Sequence, residues 1–188
     1  AVPLFYPILL NLFSGDSYNG CVECYSSIHN GPGQGERKMK ILIGSDANGF
    51  LLKEDIKAYL TGLGYEVIDM GCDGPDDETD YPDIAQAVAE HIQDGETDRG
   101  LLICGTGLGM AIAANKVPGV RAATCHDPYS AERARKSNNA QIMTMGAQIV
   151  APMLARVLVD HWLASEFQAG RSARKVQKIE AMDSRYRV

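Results

Sequence analysis

The chain predicts an α/β fold: a single doubly wound, Rossmann-like domain built on a parallel five-stranded sheet. Three observations carry that expectation. From Met39 onward, short apolar runs alternate with segments whose apolar residues recur at helical spacing. Polar and glycine-containing segments follow several of those runs directly, as they do at the carboxyl edge of a parallel sheet. Hydrophobic residues make up 45% of the 188 positions and charged residues 22%, ordinary values for a domain that buries a real core.

Lys40-Ile41-Leu42-Ile43-Gly44 is a short buried strand. Leu51 to Leu63 is a helix by the spacing of Leu52, Ile56, Tyr59, Leu60 and Leu63, and Gly62 and Gly64 end it. Tyr65 to Asp69 forms a second strand. A helix from Tyr81 to Ile92 follows, with Pro82 near its start where a missing N–H costs nothing. Gly100 to Cys104 is the third strand, followed by a glycine turn and a helix from Gly109 to Asn115. Val120 to Cys125 is the fourth strand, Tyr129 to Ser137 a helix, and Ile142 to Met145 the fifth strand. Pro152 to Glu166 is a long helix carrying Trp162, and a last helix runs from about Arg174 to Met182. No internal repeat is visible.

Residues 1–38 differ. They cluster Gly, Ser, Asn and Pro without a sustained period, which reads as an irregular N-terminal extension, with the domain proper spanning 39–188. Five cysteines, at 21, 24, 72, 104 and 125, are odd in number and lack a disulfide framework, so reduced thiols in a cytoplasm are expected. Cys21 and Cys24 form a CxxC, but no second ligand pair follows at zinc-site spacing, and no metal is expected. The net charge of −6 argues against nucleic acid as a partner, since phosphate-backbone affinity needs clustered cations. No apolar run reaches membrane-spanning length, and the apolar start lacks the basic region of a signal peptide.

Ligands of open parallel sheets sit beyond the carboxyl ends of the strands. The candidates are therefore Ser45-Asp46-Ala47-Asn48-Gly49, Cys104-Gly105-Thr106-Gly107-Leu108-Gly109 and His126-Asp127. Three glycines in the second segment let the backbone turn tightly and present N–H groups at a helix start, which suits a phosphate or an oxyanion. A dinucleotide fingerprint fails here. The spacing is GTGLG, the segment follows the third strand, and no ribose-binding acid closes a βαβ unit. Cys104 lies at the strand end beside those N–H dipoles, which favour a thiolate. That thiolate could serve as nucleophile or as base. Cys72 and Cys125 read as inert buried thiols.

With these segments in view, the chain from Met39 to Ile179 resembles the ribose-5-phosphate isomerase B and galactose-6-phosphate isomerase family. The resemblance rests on GSDANGFLLK, DYPDIA, DRGLLICGTGLGMAIAANKVPGVRAA, YSAERARKSNNAQ and GRSARKV. It implies an aldose–ketose isomerase of a small sugar phosphate of the ribose 5-phosphate/ribulose 5-phosphate type, forming a homodimer with active sites shared between subunits and using no coenzyme or metal. Cys104 falls on the family's catalytic cysteine, which moves a proton between C2 and C1, and Thr106 on a hydroxyl that bonds the substrate oxygens. The N–H groups of Gly105, Gly107 and Gly109 would stabilise the enediolate, an anion that gains most from fixed dipoles. Asp46 and Tyr81 match substrate-facing positions, and Arg171 a phosphate-binding arginine supplied by the partner.

Departures in four segments qualify the match. Asp46-Ala47-Asn48-Gly49 stands where relatives read Asp-His-Ala-Gly. In Arg135-Lys136-Ser137-Asn138, Ser137 replaces the histidine credited with ring opening, while Asn138 keeps its place. Gln148 replaces a phosphate-binding arginine after the fifth strand. Ser172 replaces a histidine in the tail, and Lys175 replaces a second arginine, whose bidentate contact a lysine does not reproduce. Ring opening could then pass to His126. Alternatively, the substrate could be a tetrose 4-phosphate, whose esterified O4 prevents furanose closure, or a different or unphosphorylated sugar. Two other classes also fit part of the pattern. A metabolite-binding module fits the lost histidines but not the retained Cys104 and Thr106; a nucleophilic thiol enzyme would need a base beside Cys104 that no local motif supplies.

Overall fold

The computed structural model describes residues 39–186. The extension expected over 1–38, with its Cys21–Cys24 pair, lies outside them. The chain alternates strands β1 (Lys40–Ser45), β2 (Glu66–Asp69), β3 (Gly100–Cys104), β4 (Ala122–Thr124) and β5 (Ile142–Gly146) with helices. A 3-10 turn (Ala47–Gly49) leads into α1 (Phe50–Gly62); α2 (Tyr81–Gln93), α3 (Leu108–Ala114) and α4 (Pro128–Asn138) follow β2, β3 and β4. After β5 come α5 (Pro152–Leu163) and α6 (Ala169–Tyr186).

All strand pairings are parallel, in the order β2-β1-β3-β5-β4. Alternation along the strands sorts two cores. Ile41, Ile43, Leu101, Ile103, Met143 and Met145 face α1, α4 and α5, where Leu52, Ile56, Ala131, Leu158 and Trp162 pack. Leu42, Leu102, Cys104 and Ile142 face α2 and α3, with Ile84, Val88 and Met110. The expected parallel five-stranded doubly wound sheet is therefore the one found. The strand order reverses between β1 and β3, and a crevice outside the strand ends opens at such a switch point.

Three elements differ from the periodicity by more than a single residue at an end. The fourth strand is only Ala122–Thr124, because the Val120 N–H turns back to the Val117 carbonyl and that of Arg121 goes to the Gln141 side chain. The long helix α5 stops at Leu163; beyond it the Ser165 carbonyl and the Glu166 carboxylate receive the Arg99 guanidinium. That guanidinium, 1% exposed, lies over the Trp162 ring and also bonds Asp98, tying the entry of β3 to the end of α5. The last helix begins earlier than expected, at Ala169, with a kink at Gly170. Among the described residues no helix is long and apolar enough to cross a membrane.

Candidate active site

β1 and β3 are paired with Ser45 opposite Ile103, so Asp46 and Cys104 leave the sheet side by side. Asp46 caps the 3-10 turn: its Oδ1 accepts the Gly49 N–H at 3.1 Å. Gly49 itself lies so close to β3 that a Cβ there would come 2.4 Å from the Ile103 carbonyl oxygen. The start of α1 is thereby pressed against the end of β3, and Asp46 has little freedom.

Behind Asp46, the segment after β2 runs along the end of β1. The Cys72 N–H donates to the Ser45 carbonyl at 2.8 Å. Lys53, 2% exposed, donates to the Asp69 carboxylate at 2.9 and 3.0 Å and to the Cys72 carbonyl at 2.8 Å, pinning this segment to α1. Burial works against the Asp69 anion, but the ammonium groups of Lys57 and Lys53 outweigh it and hold that carboxyl below the usual range.

Cys104 ends β3 with its side chain on the α2–α3 face, 6% exposed. The Gly107 N–H donates to its sulfur at 3.1 Å. That donor fixes the sulfur at the strand end with one backbone N–H dipole directed onto it. Gly107 adopts φ 79°, and a Cβ on it would meet the Met145 backbone at 2.8 Å, so this turn admits only glycine. Thr106 is exposed, and its Oγ1 accepts the Leu108 N–H at 3.4 Å. The Tyr81 ring lies against the Gly109 backbone, where a Cβ would fall 2.6 Å from Cε2. Gly105 is flanked by the Gln148 carboxamide, 3.3 Å from its ideal Cβ position. Cys104, Thr106, Gly105, Gly107, Gly109, Tyr81 and Asp46 therefore gather at the carboxyl edge of β1 and β3.

His126 follows β4. Its Nε2 accepts the Gly146 N–H at 3.2 Å, which places the proton of the neutral ring on Nδ1. Burial, with the charge of Asp127 adding to it, pushes the neighbouring Cys125 thiol up to about 12. The two strand-end thiols are thus unlike: Cys125 is a packed hydrophobe, while Cys104 meets a fixed donor.

Arg171 and Lys175 lie elsewhere. With Arg133, Ser137, Gly170, Ser172 and Arg174 they line a cavity of about 660 Å³ between the end of α4 and the start of α6. Four cations and two hydroxyls converge there, which suits an anion. Neither Cys104 nor any neighbour in its loop lines this cavity. Asn138 is exposed beside it and bonds back to the Arg133 carbonyl at 3.2 Å. Sequence reasoning missed Arg133 and Arg174, whose only signal is helical spacing across a loop, and the buried Thr144 behind the glycine turn. Among the described residues no group of three or more His, Cys, Asp or Glu has the geometry to hold a metal ion.

Fold and site together define a doubly wound α/β protein whose switch point carries a strand-end thiol, bonded by a backbone N–H within a glycine turn. The family model for ribose/galactose isomerases matches residues 41–179, and the chain belongs to that family. It is 50% identical over 141 residues to a D-erythrulose-4-phosphate isomerase of Pectobacterium atrosepticum, covering 75% of this chain and 93% of that one. It is also 50% identical over 149 residues to a ribose-5-phosphate isomerase B of Listeria innocua, covering 79% of this chain and all of that one. The solved structure of Clostridium thermocellum ribose-5-phosphate isomerase B superposes with a TM-score of 0.77 at 50% identity, over 79% of this chain and 100% of that one.

Proposed function

We propose that the chain is an aldose–ketose isomerase of a small sugar phosphate, working through a cis-enediolate with Cys104 as the base. The observation that carries this is the Gly107 N–H on the Cys104 sulfur inside a turn that only glycine can form. Cys104 takes the proton from C2 and returns it at C1. Thr106 bonds the substrate oxygens, the N–H groups of Gly105 and Gly109 face the developing enediolate, and the Gly107 N–H serves the sulfur. Asp46 and Tyr81 wall the other side. No coenzyme or metal enters these steps.

The anion end is supplied by a second copy. Arg171 and Lys175 line a cavity apart from Cys104, with Asn138 next in sequence to its Ser137, and a homodimer that places one subunit's cavity over its partner's Cys104 completes two sites. Leu108, Ile112, Ile149 and Met153, all more than half exposed around the Cys104 loop and α5, are the apolar surface such a partner would cover.

Within this class, an open-chain four-carbon phosphate is the favoured substrate over ribose 5-phosphate. Ser137 has no useful basicity at neutral pH. The His126 Nε2 lone pair is spent on the Gly146 N–H, so ring opening by His126 would have to run as acid from Nδ1. Relatives equally similar to this chain act on both sizes of sugar by name.

Two measurements test this. Cys104→Ala should lower kcat by about a hundred- to ten-thousand-fold with the fold intact, together with loss of solvent deuterium entry at C1 and C2. Retention of activity within a few-fold would move the base elsewhere. The ratio of kcat/KM for erythrulose 4-phosphate and ribose 5-phosphate should be one or above in the wild type and should fall in Ser137→His. A strong wild-type preference for ribose 5-phosphate, abolished by His126→Ala, would assign ring opening to His126 and reject the open-chain preference.

A further inference from the structure

Thr144 breaks the pattern of its strand. β5 reads Ile-Met-Thr-Met-Gly, every residue buried, and Thr144 is 0% exposed at its centre. A hydroxyl placed there costs free energy unless bonded, and Val would fill the same volume without that cost. By alternation Thr144 lies on the same face of the sheet as Cys104 and Ile142. Its Oγ1 donates to the Gly107 carbonyl at 2.8 Å. With its single hydrogen committed there, Thr144 is the acceptor for Thr124, its register partner on β4, whose Oγ1 lies 2.8 Å away. The Gly107 carbonyl also accepts the Ala111 N–H at 3.1 Å, the first turn of α3. Gly107 is thus gripped at both ends: its carbonyl by Thr144, its N–H by the Cys104 sulfur.

We infer that Thr144, backed by Thr124, is a positioning residue that holds Gly107 in its left-handed conformation so that its N–H stays on the Cys104 sulfur. Glycine at this position is the most freely rotating residue available, and a turn made of three glycines has little stiffness of its own. The two hydroxyls supply it from behind, out of reach of substrate. A local departure from the apolar pattern, repaid at a functional turn, is what such a role predicts. The consequence for turnover rests on the proposed role of Cys104 as base.

The test uses the full chain and two readouts. One is the rate at which iodoacetamide modifies Cys104 at a fixed neutral pH, mapped by peptide mass spectrometry, which follows the thiolate and needs no substrate. The other is kcat and KM with the sugar phosphate that the wild type turns over. Thr144→Val should slow modification of Cys104 and lower kcat, each by about tenfold, the scale of one hydrogen bond acting on a charged group, with KM nearly unchanged. Thr144→Ser, which keeps the hydroxyl, should restore both. A folded Thr144→Val with wild-type modification and kcat overturns the inference, as does a Ser variant as impaired as Val. Should Val at 144 prevent folding, Thr124→Val on the half-buried edge strand decides: a smaller loss in the modification rate is expected, and none overturns the relay. Slower modification with unchanged kcat supports the positioning role and rejects Cys104 as the base, so the two failures are distinguishable.

Discussion

The loop at the end of β3 and the cavity beside α6 are built by different means. Around Cys104 the determinants are backbone: an N–H on sulfur, a left-handed glycine, and close approaches at Gly49, Gly107 and Gly109 where any side chain would collide. Around Arg171 and Lys175 they are the ends of long, exposed side chains on a surface helix. Backbone cradles tolerate almost no change, since a Cβ displaces whole strands, whereas an exposed cationic rim accepts serine for histidine or lysine for arginine without disturbing a core. The departures from the family pattern fall accordingly. Ser137, Ser172 and Lys175 lie on the rim; Ala47-Asn48 and Gln148 are side-chain changes beside the Cys104 loop, and the loop residues themselves are unaltered.

The largest expected effect comes from breaking the cradle. Gly107→Ala forces an L-residue into φ 79°, costing roughly 1–2 kcal/mol for the conformation alone. It also drives a Cβ to 2.8 Å from the Met145 backbone. Activity should fall by at least the loss expected for Cys104→Ala, and the melting temperature should drop; a stable, active Gly107→Ala would mean that the turn relaxes freely. Next comes the rim. If Arg171 holds the substrate anion as proposed, Arg171→Ala should raise KM by about ten- to a hundred-fold with a smaller effect on kcat, the loss of one charge-assisted contact. Mixing Cys104→Ala with Arg171→Ala subunits should recover wild-type KM at part of the sites, because one mixed site carries an intact thiol and an intact arginine. Mixtures no better than the sum of the two homodimers would place both halves of a site in one chain.

The smallest effect concerns the Lys53–Asp69 tie beneath Asp46. The Asp69 carboxyl is held below its ordinary range, so its ion pairs contribute stability that is present above the unfolded value and lost as pH falls through the folded one. Asp69→Asn should therefore melt below the wild type at neutral pH, and the gap should persist down to the ordinary carboxylate value and shrink as the pH falls below it. A gap independent of pH would assign the effect to packing.

Much of the site was legible in the residues. CGTGLG announces a tight turn after a strand, and its place after the third strand, away from a dinucleotide fingerprint, directed attention to Cys104. Thr144 and Thr124 escaped because a threonine in a strand is ordinary β-former vocabulary; only the distance to the Gly107 carbonyl separates a hydroxyl satisfied within its own strand from one that grips the glycine turn. His126 was legible as a candidate but not in its tautomer, which depends on a backbone N–H twenty residues away in β5. The limits of β4 and α5 were misjudged where side chains from elsewhere, Gln141 and Arg99, took over the backbone partners.

By itself the sequence determined the order of strands and helices, the glycine turn and the identity of the thiol, since periodicity and local turn chemistry act over a few residues. Tertiary structure alone decided that β5 lies between β3 and β4, and that Cys104 and Arg171 occupy separate places in one chain. It also decided that Thr144 stands behind Gly107. Each of these depends on contacts between residues far apart along the chain, and no local pattern encodes which distant partner a strand, a cation or a hydroxyl will meet.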